Sequence, residues 1–116
     1  MTNLYRMMLS KISVAIATAF ALSTSAAVVD MFGDAECRDR IGTRNIFDNT
    51  CARTGGFSSF RITSGGVGGQ RITAYSRNDC VAPSITCTDA GAVGVCFRAT
   101  NDQGASNALS SYTFCG

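Results

Sequence analysis

The sequence predicts a small all-β domain built as a disulfide-stabilised sandwich. Three observations predict this fold class. Short runs of alternating apolar and polar residues are separated by turn residues, six cysteines fall in a short chain, and two segments resemble each other. Residues 38–46 are the best helix candidate after residue 27, and they hold too few apolar side chains for an amphipathic helix.

Five stretches indicate strands. Four alternate between apolar and polar residues, and the fifth is a more continuous apolar run suited to a buried strand. They are Val28–Phe32, Phe57–Thr63, Arg71–Ser76, Ser110–Phe114 and the apolar run Ala92–Phe97. Segments rich in Gly, Asn and Asp, such as residues 33–34, 54–56 and 101–104, predict turns between them. The aromatic side chains in these runs are expected in the core: Phe57, Phe60, Tyr75, Phe97, Tyr112 and Phe114.

The amino-terminal segment has the layout of a cleavable secretory signal peptide. Arg6 and Lys11 precede an apolar run, and small residues follow it. We place the signal at residues 1–27, with cleavage after Ala26 or Ala27. The apolar run of about 11 residues is shorter than the about 20 that span a bilayer. We therefore expect a secreted, extracellular chain that does not span the membrane; a retained anchor is the alternative.

The charge of the mature domain, residues 28–116, argues against one class of function, nucleic-acid binding. The sequence has ten Lys and Arg against eight acids, and two of the basic residues lie in the predicted signal, which leaves eight of each sign. The excess of basic residues that marks nucleic-acid binding is absent, so we expect no nucleic acid as a partner.

Catalysis is not expected. The sequence has no His, and its one Lys lies in the predicted signal, so a Ser or Cys nucleophile would lack its usual base. A pair of carboxylates acting on a glycoside is the alternative. Its candidates are Asp34, Glu36, Asp39 and Asp48, which turn-capping or solvated acids would also explain.

The cysteines predict three disulfides. An even number of cysteines in a short exported chain is typical of a disulfide framework. They are Cys37, Cys51, Cys80, Cys87, Cys96 and Cys115. Zinc is the alternative, but no pair has the C-x-x-C spacing and there is no His. We expect no cofactor.

Two stretches of the chain resemble each other. In each, an alternating run leads to an aromatic, a small residue and then a cysteine five positions after the aromatic: Phe32 and Cys37 in one, Tyr75 and Cys80 in the other. A second cysteine and a Ser-Ser-aromatic run follow in both. We interpret the domain as two repeats, residues 28–63 and 70–116, joined by a Gly-rich connector, residues 64–69.

Symmetry between the repeats suggests a cysteine pairing. Equivalent halves would form the same bridge, which predicts Cys37–Cys51 and Cys80–Cys96 and leaves Cys87–Cys115 to hold the carboxyl end. Six cysteines allow 15 pairings, and only the assumed symmetry selects this one.

This arrangement resembles the two Greek-key motifs of a βγ-crystallin domain. The resemblance is carried by the pairs Phe32-Gly33 and Tyr75-Ser76 after each first strand and by Ser59 and Ser111 near each last one. It implies a sandwich of two Greek-key units, in which each serine hydrogen-bonds back to a folded-over first hairpin. The upstream aromatic of the family motif is missing in both halves.

The same resemblance suggests what the protein does. Secreted, disulfide-rich proteins of that fold include yeast killer toxins, plant antimicrobial proteins and a bacterial proteinase inhibitor. Small fungal effectors are similar through the aromatic-Ser-x-x-x-Cys segment, residues 75–80. It implies a toxin-like, antimicrobial or host-directed effector protein that acts by binding. We expect a monomer whose target is extracellular, such as a cell wall, membrane or host protein. A secreted protease inhibitor and a carbohydrate-binding module are the alternatives.

A calcium-binding βγ-crystallin domain is a further alternative. The family's motif, Asn/Asp-Asn/Asp-x-x-Ser/Thr-Ser, is partly matched by residues 106–111, where Asn107 and Ser110 are the candidate ligands. Residues 54–59 lack both amide or acid positions. Calcium needs six to eight oxygen ligands, so ordinary hydrogen bonding at a strand end explains these residues equally.

One cluster of basic residues is a candidate binding patch. Arg38, Arg40, Arg44 and Arg53 fall within 16 residues. Their guanidinium groups would suit an anionic lipid, a cell-wall phosphate or an acidic partner. The alternative is a solvated edge neutralised by Glu36, Asp39 and Asp48.

Overall fold

The computed structural model describes residues 25–116, and these form nine strands and no helix. The strands are β1 (Ala26–Phe32), β2 (Arg40–Phe47), β3 (Thr50–Phe57), β4 (Ser59–Ser64), β5 (Arg71–Tyr75), β6 (Ser84–Asp89), β7 (Cys96–Arg98), β8 (Thr100–Asn101) and β9 (Gly104–Tyr112). The all-β prediction is confirmed. Residues 1–24, most of the predicted signal, lie outside the described part. Within the described part no helix could cross a membrane.

The strands form two antiparallel sheets. The first has the order β2-β1-β4-β7, and the second has the order β3-β9-β5-β6, with the short β8 pairing with the start of β9. Apart from the short β8, each sheet contains three strands of one half of the chain and one strand of the other half. β7 joins the edge of the first sheet and β3 joins the edge of the second, so the halves exchange one strand each.

The two halves pair their strands in matching registers. Phe32 at the end of β1 lies opposite Ser59, and Tyr75 at the end of β5 lies opposite Ala108. The pairing of β1 with β2 shifts register just before Phe32, and the pairing of β5 with β6 shifts register just before Tyr75. The shift therefore falls at the same place in each half. Ser59 therefore corresponds to Ala108, and the alignment of Ser59 with Ser111 expected from the Ser-Ser runs is wrong by three residues.

Left-handed backbone also recurs at matching positions. The φ angle is 57° at Cys37 and 53° at Cys80, and it is 60° at Asn49 and 85° at Gly94, just before each exchanged strand. Few residue types adopt this conformation readily, and none of Cys37, Cys80 and Asn49 is glycine. The chain therefore changes direction in the same way at corresponding points of each half.

One hydrophobic core lies between the facing sides of the sheets. Its buried side chains are Ala27, Val29, Met31, Ile46, Ala52, Phe57, Phe60, Ile62, Ile72, Ala74, Ala90, Ala99 and Leu109. Phe57 and Phe60 are in this core as expected, edge to face with ring centroids 6.4 Å apart. The prediction of a core position for Phe114 is wrong. It follows the end of β9 and stacks on Tyr112 at the surface, with 60% of its area exposed.

Four strands were not expected from the sequence: β2, β3, β6 and the two-residue β8. β2, β3 and β6 are all edge strands, and most of their side chains are exposed or half-buried, so they lack the apolar alternation that identifies a strand. The turn predicted at residues 54–56 lies inside β3. The pairing of β3 with β9 shifts between Arg53 and Phe57, and Gly55 has a φ of 73°. The glycines therefore form an irregularity within the strand.

Candidate functional site

A loop at residues 33–39 folds over the outer face of the first sheet. The Asp34 carboxylate accepts backbone N–H bonds from Asp39 (2.8 Å), Arg38 (3.0 Å) and Glu36 (3.1 Å). The Asp39 N–H, with those of Arg38 and Glu36, lowers the pKa of the Asp34 carboxyl. The Asp34 carboxylate therefore stabilises the loop. This contact fits the interpretation of Asp34 as a turn-capping acid, and we assign it no role as a general acid.

Ser59 fastens the same loop to the sheet. Its hydroxyl accepts the Cys37 N–H (3.0 Å) and donates to the Asp34 carbonyl oxygen (2.6 Å), and its side chain is fully buried. These are the hydrogen bonds that the resemblance implies for a serine at this place. Ser111 does not repeat them, because its hydroxyl faces Gln70 Oε1 at 3.3 Å.

The aromatic residue five positions before each loop cysteine is buried on the outer face of its sheet. Phe32 and Tyr75 follow the core residues Met31 and Ala74, so their side chains point to the outer faces. Phe32 is 4% exposed and Tyr75 is fully buried. The Tyr75 hydroxyl lies 2.9 Å from the Ser110 hydroxyl, which satisfies both groups. Each half therefore buries an aromatic outside the central core.

The cysteines pair differently from the symmetric expectation. The structure forms three disulfides, Cys37–Cys96, Cys51–Cys80 and Cys87–Cys115. The predicted bridges Cys37–Cys51 and Cys80–Cys96 are wrong, whereas Cys87–Cys115 is as predicted. Cys96 is in the exchanged strand β7, opposite Arg61 of β4, so it lies on the sheet that the Cys37 loop covers. Strand exchange thus brings the cysteine of the other half to each loop.

The four candidate arginines are exposed, and a hydrogen bond brings two of them, Arg44 and Arg53, close together. Arg40 is 3.7 Å from Asp30 in an ion pair and bonds to Thr43, which donates to the same carboxylate. Arg44 reaches across the open edge between the sheets and donates to the Arg53 carbonyl oxygen at 3.2 Å.

Within the described residues, the acids expected to neutralise the four arginines do not form ion pairs with them. Between residues 25 and 116 the ion pairs are Arg40–Asp30 and Arg77–Asp79. Glu36, Asp39 and Asp48, the expected partners of the arginines, are in neither pair. Arg38 is exposed in the loop that Asp34 organises.

The calcium candidates Asn107 and Ser110 are not brought together. They are three positions apart in β9, so the alternation of a strand places them on opposite faces. Asn107 donates to the Ser76 carbonyl oxygen at 2.8 Å, and Ser110 is bonded to Tyr75. Because Ser59 corresponds to Ala108, the second half also lacks the last serine of the motif. Among residues 25–116 no group of three or more acids or cysteines is placed to hold a metal ion.

Two contacts were not predicted from the sequence. Arg61 lies over the Phe32 ring, 5.6 Å from its centroid, and helps to cover that aromatic. Asp30 accepts from Thr43 on the outer face of the first sheet. Only strand pairing brings these residues together, because β1 lies between β2 and β4. A local pattern in the chain could not have identified them.

The fold and its crosslinks define a small cysteine-rich β domain with two antiparallel sheets. Comparison of the chain with protein-family models, with curated proteins and with solved structures finds no match.

Proposed function

We propose that the chain is a secreted, toxin-like, antimicrobial or host-directed effector protein that acts by binding. The observation that carries this proposal is the crosslinking. All six cysteines are paired, two bridges hold the outer loops to exchanged strands, and the third holds the carboxyl-terminal tail. A domain of this size has a thin stability margin, and each native disulfide contributes about 2–4 kcal/mol. Disulfides persist in oxidising, extracellular surroundings.

The proposed architecture is a βγ-crystallin-like pair of Greek-key units, which is the fold of the secreted toxins and antimicrobial proteins named above. The strand exchange supports it, because each sheet combines the first, second and last long strands of one half with a strand of the other. The hydrogen bonds of Ser59 to the folded-over loop support it in the first half. Fold alone does not determine function, so the activity needs its own test.

We propose that the protein acts by binding and not by catalysis, because the domain lacks the side chains that usually serve as a catalytic base. The domain has no His or Lys to act as a base, and the Asp34 carboxylate is engaged by the N–H groups of its own loop. A scaffold that presents rigid loops needs no catalytic group to block, bind or permeabilise a target.

The test is growth inhibition by the oxidised protein against fungi, bacteria and plant tissue. The matched control is the same protein after reduction and alkylation, which removes the crosslinks. We expect inhibition or tissue response with the oxidised protein only. Inactivity on all three would overturn the proposal, and activity in protease-inhibition or glycan-binding assays would then favour an inhibitor or a carbohydrate-binding module.

A further inference from the structure

The carboxyl-terminal tail, residues 113–116, folds back over the outer face of the second sheet. The Cys87–Cys115 bridge fastens it to the edge strand β6. Any side chain at Gly116 would collide with the Tyr75 hydroxyl, so the backbone of the tail lies directly against that buried aromatic. One disulfide therefore holds the segment that covers the outer aromatic of the second half.

Hydrogen-bond donors contact both sulfur atoms of this bridge. The Arg71 Nε–H donates to Cys115 Sγ at 3.2 Å, and the Thr73 hydroxyl donates to Cys87 Sγ at 3.3 Å. Within residues 25–116 no side chain donates a hydrogen bond to a sulfur of the other two bridges. The surroundings of the Cys87–Cys115 sulfurs are therefore more polar than those of the other disulfides.

The charge of Arg71 acts directly on the Cys115 sulfur. Arg71 forms no ion pair within residues 25–116, where the two ion pairs involve other arginines. Asp89 lies opposite Arg71 in the strand register, but its carboxylate accepts the Gly91 N–H at 2.7 Å. A cation that donates a hydrogen bond stabilises a thiolate more than it stabilises a neutral disulfide sulfur. Arg71 therefore favours the reduced state, in which Cys115 carries a negative charge.

The same bridge is the one that solvent reaches most easily. Cys115 is exposed, whereas the other five cysteines are buried or half-buried: Cys37, Cys51, Cys80, Cys87 and Cys96. Thiols open exposed disulfides most readily, and they open a bridge faster when the departing thiolate is stabilised. Access and a stabilised leaving group, two independent properties, therefore coincide at Cys87–Cys115.

We propose that Cys87–Cys115 is a thiol–disulfide exchange site, the bridge that external thiols open first. One thiolate of an external dithiol attacks Cys87 Sγ, the bond between Cys87 and Cys115 breaks, and Cys115 leaves as a thiolate held by Arg71. The second thiol of the dithiol loses its proton to solvent and attacks the mixed disulfide. This step releases Cys87 as a thiolate and oxidises the dithiol to a disulfide, so two electrons pass to the protein.

Opening this bridge changes one face of the domain and leaves its frame closed. The tail is no longer tied to β6, so it can leave the Tyr75 hydroxyl uncovered. The other two bridges still join the outer loops to the exchanged strands, and the core lies between the sheets, away from the tail. The inference goes beyond the proposed function, because it describes a response to thiols that does not depend on which target the domain binds.

The test is stepwise reduction of the oxidised protein with dithiothreitol, followed by alkylation of the free thiols and peptide mapping. We expect Cys87 and Cys115 to be alkylated together at about tenfold less dithiothreitol than the other four cysteines need. Arg71→Gln should raise the concentration that opens this bridge by about three- to tenfold. The matched control Arg40→Gln removes an exposed charge that contacts no sulfur, and it should leave that concentration within about twofold of the parent's.

Three results would overturn the inference. They are earlier opening of either other bridge, simultaneous opening of all three, and an Arg71→Gln bridge that opens as readily as the parent's or more readily. Loss of the fold in this variant cannot imitate the expected result, because unfolding makes every bridge easier to reduce. The protein alkylated only at Cys87 and Cys115 should still unfold cooperatively in urea, and a non-cooperative transition would show that the frame does not stay closed.

Discussion

Cys37 and Cys96 are joined across 59 residues of chain, and the corresponding positions Cys80 and Cys51 are joined to each other across 29. Each bridge takes one cysteine from an outer loop and the other from an exchanged strand. Both loop cysteines have left-handed backbone. The two disulfides therefore occupy equivalent places, although each joins the two halves of the chain.

Peptide mapping without reduction distinguishes this pairing from bridges within each half. Cleavage after arginine and before aspartate releases Cys37 in residues 34–38 and Cys96 in residues 89–98. We expect these two peptides to form one linked species, while residues 48–53, 79–88 and 102–116 form a second. A species that links residues 34–38 to 48–53 would contradict the structure.

The connector should be dispensable for holding the halves together. A protease recognition sequence inserted in residues 65–69 would allow the folded chain to be cut there. We expect the cut protein to remain one disulfide-linked species with unchanged near-UV circular dichroism, because two bridges and two exchanged strands cross between the halves. The uncut insertion variant is the control. Separation of the halves before any reductant is added would refute the prediction.

Ser59→Ala should destabilise the domain by about 1–3 kcal/mol, because the change leaves a buried N–H and a partly buried carbonyl oxygen without their partner. Urea unfolding of the oxidised protein measures this loss. The neighbouring Ser58→Ala is the matched control, and since Ser58 makes no side-chain hydrogen bond within the described residues, we expect a change within about 0.5 kcal/mol. Equal effects of both changes would show that the loop is not held by the Ser59 hydroxyl.

Asp34 should make the outer loop sensitive to acid. Hydrogen bonds from the Asp39, Arg38 and Glu36 N–H groups lower the pKa of Asp34 below its ordinary value of 3.8. A lowered pKa means that the contribution to folding stability is complete above the unfolded-state pKa and is lost as the pH falls through the folded-state pKa. Side-chain carboxyl titration by NMR should place Asp34 below 3.8, and Asp34→Asn should remove this part of the pH dependence of unfolding. Asp102→Asn, in an exposed turn, is the charge-matched control.

The mature amino terminus should include Ala26 and Ala27. Both residues pair with β2, and Ala27 is fully buried in the core. Cleavage after Ala27, one of the two positions considered from the sequence, would remove a strand end and a core side chain. Cleavage after Ser25 leaves small residues, Ser23 and Ser25, at the positions that signal peptidase reads. The intact mass of the exported protein decides, and a chain beginning at Ala27 or Val28 would refute the prediction.

Several elements were predictable because their causes are local. β1 and β5 are central strands with one face in the core, so their residues alternate visibly in the sequence. The edge strands β2, β3 and β6 have little to bury, and their sequences carry no such pattern. Phe114 was misplaced for a related reason, because an aromatic just past the end of a strand has the same composition as one inside it.

By itself the sequence determined the all-β class and the positions of several turns. Composition and short-range alternation contain that information. Only the tertiary structure decided the partners of the six cysteines and the correspondence of Ser59 with Ala108. These depend on which strand lies beside which, and the exchange of β3 and β7 is set by packing two sheets around one core, a relation that no local segment of the chain encodes.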